Sequence, residues 1–323
     1  MLPEMPKIEN TSGSMKTSDE MDQSRLSESM GSNDKREPKG KKSYVLGLII
    51  VFVAVYSQYL LQYFEVHLGL ILGSLLVYGV PVLSITLLWG TAIIRRFFKN
   101  TYSGLKLGLG LFGVFTVLGI VLAVVIVVFL VALDPSTAKL LDKPNPVLNV
   151  SPDFAWIMVG VSLLVTGPAE EYIFRGFVLG GLLDIFKNRH WLILAFVSSL
   201  LFSATHLYYA VVYGPASLVQ FTDLVTFGMA MAATYHLSGG NLSAPALIHG
   251  AYNATAFVGV ALTSTSVSIG LRAFMILLGI IVAFLLYIQR GSRKDHNPYN
   301  VPQETTRARG FLGGVDQIQN CTG

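Results

Sequence analysis

The scarcity of charge in the middle of the chain limits its fold more than any other feature. Residues 43–289 hold only 18 of the 42 charged side chains. That is about one residue in fourteen, against about one in four in a soluble domain. The segment therefore cannot present an ordinary water-facing surface, which excludes a soluble enzyme and a nucleic-acid-binding module. The composition predicts an all-α, polytopic membrane protein.

Eight apolar stretches are long enough to cross a bilayer, which needs about 20 mainly apolar residues. They predict about eight transmembrane helices, at 44–64, 68–94, 108–133, 154–186, 191–209, 216–236, 242–262 and 269–288. Cytoplasmic loops carry an excess of Lys and Arg, and four basic clusters share one side if the N-terminus is inside. We therefore expect a multi-pass protein of the cell membrane, or of the endoplasmic reticulum membrane in a eukaryote, with both termini cytoplasmic.

Composition divides the chain into four predicted parts. Residues 1–42 are polar and predict a disordered cytoplasmic tail. Residues 43–153 would form scaffold helices 1–3 and a loop, residues 154–289 the bundle with the functional site, and residues 290–323 a polar cytoplasmic tail. The single cysteine, Cys321, allows no disulfide framework.

Ionisable side chains inside the predicted spans mark the candidate site. Each costs about 2.5–3.5 kcal/mol to insert, so such residues usually have a function. The first three predicted spans have none in their interiors and are therefore expected to be mainly scaffold. The strongest cases in the later spans are Glu170, Glu171, Arg175, His206, Asp223 and His249, with Asn253 as a polar companion.

The spacing of the acidic pair separates its two carboxylates. Glu171 and Arg175 are four residues apart, in the order that favours an ion pair on one helix face. Glu170 points about 100° away, which leaves it free for chemistry. Depth is a difficulty, because Glu170 and His249 would differ by about 12 Å along ideal helices. A tilted, broken or extended fourth helix, or a misplaced boundary, would close this gap, and Gly167-Pro168 is a candidate break.

Three motifs follow one another on separate predicted helices: Glu-Glu-x-x-x-Arg from Glu170, Phe-x-x-x-His ending at His206, and His-x-x-x-Asn from His249. Together they resemble the CAAX protease and bacteriocin-processing family (CPBP, or Abi), which includes the Rce1-type prenyl protease. The resemblance covers roughly residues 154–263. It implies an intramembrane endopeptidase.

The resemblance also implies a role for each motif residue. Glu170 would be the general base that activates water, and His206 would help to position that water. His249 and Asn253 would orient or stabilise the oxyanion. Such a set suits peptide hydrolysis, which needs a base, an activated water and oxyanion donors.

Glu171 and Arg175 would be a supporting pair that holds the first glutamate in place. Metal use is a second question, because two histidines and a glutamate match a catalytic zinc ligand set. The His-Glu-x-x-His zinc-peptidase signature is absent, however. We therefore predict no cofactor and a metal-independent glutamate mechanism, with zinc as the alternative.

The expected substrate is a prenylated CaaX-type protein or peptide, cut after the prenylated cysteine, with the lipid bilayer as the other partner. No nucleic-acid partner is expected, and the oligomeric state is open. One alternative is a protease of the same family for non-prenylated or bacteriocin-type peptides. A second is an ion-coupled carrier using Glu170 and Asp223, and a third is a non-catalytic scaffold.

Overall fold

The computed structural model describes residues 41–63, 70–98, 101–141, 143, 145 and 148–295. Of these residues, 89% are helical and none is in a strand, which confirms the all-α prediction. The predicted N-terminal tail, apart from its last two residues, lies outside the described residues. So do residues 296–323, including Cys321.

The described residues of the first half of the chain form six α-helices, two of them continued by other helical turns. A π-helical stretch, Leu75–Gly79, joins α2 to α3, and a 3-10 turn, Arg96–Phe98, follows α4. The helices are α1 (Lys41–Tyr63), α2 (Leu70–Ser74), α3 (Val80–Trp89), α4 (Ala92–Arg95), α5 (Thr101–Leu133) and α6 (Thr137–Leu141).

The second half begins with a long helix of mixed winding, in which α7, α8 and α9 alternate with π-helical stretches at Ser162–Thr166 and Tyr172–Leu179. Ser151 caps its start, since its hydroxyl accepts a hydrogen bond from the Phe154 amide. The helices are α7 (Pro152–Val161), α8 (Gly167–Glu171), α9 (Gly180–Ile185), α10 (Trp191–Ala204), α11 (Tyr208–Tyr213), α12 (Ser217–Leu237), α13 (Ser243–Ala261) and α14 (Thr265–Asp295).

Among the residues that the structure describes, five helical segments are long and apolar enough to cross a membrane, which agrees with a polytopic membrane protein. They are Leu72–Trp89, Thr101–Leu133, Pro152–Ile185, Tyr208–Leu237 and Thr265–Arg290. Two shorter apolar helices, Lys42–Ser57 and Trp191–Ala204, fall below that length. A count of eight spans stays a prediction.

The core of residues 1–284 is formed where α12 packs against α5 and α10, and α13 packs against α5, α7 and α8. Large aromatic side chains fill it, including Phe112, Phe177 and Phe202, each at most 1% exposed. Residues 285–323 form a second unit, of which the structure describes the helical residues 285–295. The core therefore lies among the helices that carry the three motifs.

Two glycines allow the motif helices to meet at backbone distance. A Cβ atom on Gly167 would lie 2.7 Å from the Ala246 carbonyl oxygen and 2.7 Å from the Gly250 amide nitrogen. A Cβ atom on Gly250 would lie 2.8 Å from the Ser162 carbonyl oxygen. The atoms that these added Cβ atoms would meet all belong to the backbone, so they cannot move aside cheaply. These glycines set the separation of α8 and α13, and hence of Glu170 and His249.

Gly167→Ala is expected to destabilise the protein by about 1–3 kcal/mol, the usual cost of overpacking. Gly160→Ala is the matched control, since its added Cβ would have nothing within 4 Å on the same long helix. Thermal unfolding in detergent compares the two variants. Equal unfolding temperatures would show that the close approach at Gly167 is not required.

Candidate active site

An imidazole ring between two adjacent carboxylates forms the centre of the site. The Nε2 atom of His249 lies 3.2 Å from Oε2 of Glu170, and its Nδ1 atom lies 2.7 Å from Oε1 of Glu171. His249 is 2% exposed and Glu171 fully buried, whereas Glu170 is 9% exposed. The gap of about 12 Å expected from ideal helices is therefore absent, and two of the three motifs are in direct contact.

The fourth predicted span is irregularly wound next to this contact. The short helix α8, which ends at Glu171, lies between the π-helical stretches Ser162–Thr166 and Tyr172–Leu179. A π-helix uses i→i+5 hydrogen bonds, and π turns are frequent at functional sites. Arithmetic based on 3.6 residues per turn therefore fails here. The helix stays continuous at Gly167-Pro168, and the winding changes instead.

The supporting ion pair predicted from spacing is present in the structure. A terminal guanidinium nitrogen of Arg175 lies 3.1 Å from Oε1 of Glu171, and the other donates a hydrogen bond to the Gly228 carbonyl at 3.1 Å. The guanidinium also lies over the Phe202 ring, 4.9 Å from its centre. The same oxygen of Glu171, Oε1, thus contacts both Arg175 and His249.

His206 lies in the turn that follows α10, and not on the helix face expected for it. The helix ends at Ala204, and the hydroxyl of the next residue, Thr205, donates a hydrogen bond back to the Phe202 carbonyl at 2.6 Å. The Nδ1 atom of His206 faces the same carbonyl at 3.2 Å. Its ring packs against Phe202, at 5.1 Å between centres, and Phe202 also contacts His249 at 5.8 Å. Phe202 therefore connects His206 to the acidic centre.

Asn253 lies one turn beyond His249 on α13 and is half-buried. Within the described part of the chain, its carboxamide makes no hydrogen bond to Glu170, Glu171 or His206. The structure therefore joins Glu170, Glu171, Arg175 and His249 directly. His206 is joined through Phe202, and Asn253 stands beside the group.

One contact of Glu170 comes from a helix that the sequence assigned to scaffold. The Tyr78 hydroxyl, in the π-helical stretch Leu75–Gly79, donates a hydrogen bond to Oε1 of Glu170 at 2.9 Å. The sequence argument depends on the cost of ionisable side chains in lipid. A tyrosine is neutral at ordinary pH, so that argument does not point to Tyr78. The sequence feature that could have pointed to Tyr78 is its position as a tyrosine in a run of aliphatic residues. Both oxygens of Glu170 thus have a partner.

Tyr78→Phe is expected to lower peptide cleavage about tenfold, in line with one hydrogen bond to a charged group. The fold should stay intact, because the ring remains. The comparison is kcat/KM for the variant and for Tyr102→Phe, a control whose ring is 73% exposed. Equal rates for Tyr78→Phe and wild type would remove Tyr78 from the site.

The described residues offer no metal centre that fits a zinc peptidase. No group of three or more His, Cys, Asp or Glu side chains in that part of the chain is arranged to hold a metal ion. Both ring nitrogens of His249 face carboxylate oxygens. No catalytic step is therefore derived through a metal, and metal independence stays a prediction.

Comparison with known families identifies this region. Residues 152–255 match the family described as type II CAAX prenyl endopeptidase, Rce1-like. The chain carries an Rce1-like domain. The matched residues begin at the first residue of α7 and include all seven motif residues predicted from the sequence. Searches of curated proteins and of solved structures found no significant match.

The Rce1-like domain confirms the family resemblance seen in the three motifs and implies a membrane protease of the CAAX endopeptidase class. It covers about a third of the chain. Tyr78 lies outside the matched residues, so the site draws on residues beyond the domain.

Proposed function

We propose that the protein is an intramembrane endopeptidase that removes the C-terminal tripeptide from prenylated CaaX-type proteins. The observation that supports this proposal is the buried bridge from Glu170 through His249 to Glu171, inside an Rce1-like domain. A carboxylate with one partly open side, next to a fixed imidazole, is suited to activate water for peptide hydrolysis.

In the proposed reaction, Glu170 is the general base. It accepts a proton from water while the resulting hydroxide adds to the carbonyl carbon of the prenylated cysteine. The carbonyl oxygen becomes an oxyanion, and collapse of this intermediate breaks the C–N bond. The proton held by Glu170 passes to the leaving amine. The products are a carboxylate on the cysteine and a free tripeptide.

The remaining residues are assigned to positioning and to charge stabilisation. Glu171 and Arg175 fix the His249 ring through its Nδ1 side, so that Nε2 faces the reacting groups. We assign oxyanion stabilisation to His249 and to Asn253, whose carboxamide makes no hydrogen bond to another residue in the described part of the chain. His206, which adjoins Phe202 above the acidic centre, is assigned to the attacking water. Catalytic hydrogen bonds of this kind often tighten only when substrate binds.

The alternatives have less support. A carrier that couples Glu170 to Asp223 would need these carboxylates to communicate, yet the charged neighbour of Asp223 is Arg272. A scaffold would not require a buried histidine between two carboxylates. A protease for non-prenylated peptides uses the same chemistry and differs only in its substrate.

The test uses purified protein reconstituted in liposomes, with a farnesylated CaaX peptide and the same peptide without the lipid. We expect cleavage of the farnesylated peptide that persists after treatment with a chelator. Cleavage of the unmodified peptide alone would favour the other protease. Loss of cleavage on chelation, restored by zinc, would contradict the metal-independent mechanism.

A further inference from the structure

Arg272 is a charged residue in the membrane-spanning helix α14 that the proposed reaction does not use. Its Nε atom donates a hydrogen bond to the Thr255 hydroxyl at 3.1 Å, and its guanidinium lies 4.8 Å from the centre of the Tyr252 ring. The residue is half-buried and lies outside the Rce1-like domain. A charge in such a segment is costly, so a function is expected for it.

The two terminal nitrogens of the Arg272 guanidinium take no part in the hydrogen bond to Thr255. Within the described residues they make no hydrogen bond and no ion pair within 4.0 Å. Asp223 is near enough for its charge to act on Arg272, but the two are not in ion-pair contact. Thr255 and Tyr252 therefore hold the guanidinium in place and leave its fork open. A guanidinium fork matches the geometry of a carboxylate, which it binds with two parallel hydrogen bonds.

The position of this fork relative to the acidic centre suggests which carboxylate it binds. Three ring contacts connect them: His249 to Phe227 at 4.8 Å, Phe227 to Tyr252 at 5.2 Å, and Tyr252 to Arg272 at 4.8 Å. Two aromatic rings, those of Phe227 and Tyr252, thus separate Arg272 from the His249 ring along this path. Three extended residues span about 10 Å. That length is the separation between the bond cut in a CaaX sequence and the carboxylate at its end.

We propose that Arg272 binds the C-terminal carboxylate of the peptide substrate. This inference rests on the proposed function and adds the residue that sets the length of the released fragment. With the carboxylate on Arg272 and the scissile carbonyl at Glu170 and His249, the three residues that leave would reach from one group to the other. Arg272 is then a specificity-determining residue that selects substrates by a free C-terminus and by length.

The experiment compares two farnesylated CaaX peptides that differ only in a free or an amidated C-terminus. We expect wild type to cleave the free acid at least tenfold more efficiently in kcat/KM, because the amide lacks the charge-assisted pair. In Arg272→Gln the ratio of acid to amide cleavage should fall to about one. Arg272→Lys should keep part of the preference, since it retains the charge without the fork.

Arg272→Gln leaves Asp223 without its charged neighbour, so a second variant controls for a loss of stability. The double variant Asp223→Asn, Arg272→Gln removes both charges, and its acid-to-amide ratio should also be about one. Equal cleavage of acid and amide by wild type would overturn the inference. So would a variant that loses both activities by the same factor, since that is the behaviour of a merely structural residue.

Binding separates this inference from the proposed function. Fluorescent acid and amide peptides are titrated into Glu170→Gln, with and without Arg272→Gln. Tighter binding of the acid that depends on Arg272 would support the carboxylate site even if no peptide were cleaved. Cleavage of both peptides by wild type, with equal affinities, would overturn the carboxylate site and leave the protease standing.

Discussion

Glu170→Gln is expected to lower cleavage of a farnesylated CaaX peptide by about 10²–10⁴-fold, the usual contribution of a general base. The amide keeps the size of the side chain and its contact with the Tyr78 hydroxyl, but it cannot accept a proton from water. The measurement is tripeptide release by the reconstituted protein under conditions that determine kcat.

A matched control separates chemistry from general damage. Asp153→Asn, an exposed acid-to-amide change in the first turn of α7, should cleave at the wild-type rate. Both variants should unfold at nearly the wild-type temperature. If Glu170→Gln retained more than a tenth of the activity, Glu170 would not be the base.

Arg175→Met is expected to destabilise the protein by about 3–5 kcal/mol, the cost of leaving a buried charge without its partner. Arg175 is 1% exposed, and Glu171 has no contact with water. The change removes the ion pair, the hydrogen bond to Gly228 and the contact with Phe202. Denaturant unfolding in detergent gives the free energy of unfolding.

The double variant Glu171→Gln, Arg175→Met tests the cause of that loss. It removes both charges, so it should recover a large part of the stability, because the uncompensated carboxylate is gone. Arg95→Met, an exposed arginine at the end of α4, should have little effect. Equal losses in the single and double variants would place the cost in packing and not in charge.

The two predictions concern neighbouring carboxylates with different surroundings. Glu171 is enclosed by Arg175 and His249, whereas Glu170 has a partly exposed side and a tyrosine partner. Changing Glu170 should therefore act mainly on rate, and breaking the Glu171 pair mainly on stability. The proposed roles thus divide chemistry from support between the two adjacent carboxylates.

Much of this arrangement could be predicted from the sequence. The lack of charge in residues 43–289 predicted a helical membrane protein, and the cost of ionisable groups in lipid pointed to Glu170, Glu171 and His249. The spacing of Glu171 and Arg175 predicted their ion pair. These predictions succeeded because each depends on a strong and local physical rule.

The remainder depended on features that residue patterns do not encode. Depth arithmetic assumed ideal helices and placed His249 too far from Glu170, whereas α8 lies between two π-helical stretches. The helix α10 ends at Ala204, which puts His206 in a turn. Tyr78 was missed because a neutral side chain in an apolar span gives no electrostatic signal.

The most direct test of the central claim is the mass of the products formed from a farnesylated CaaX peptide by the reconstituted protein. We predict a farnesylated peptide that ends at the modified cysteine, together with the free tripeptide, and neither product with Glu170→Gln. An uncut peptide with well-folded wild-type protein would contradict the claim. So would cleavage at the same bond by both proteins.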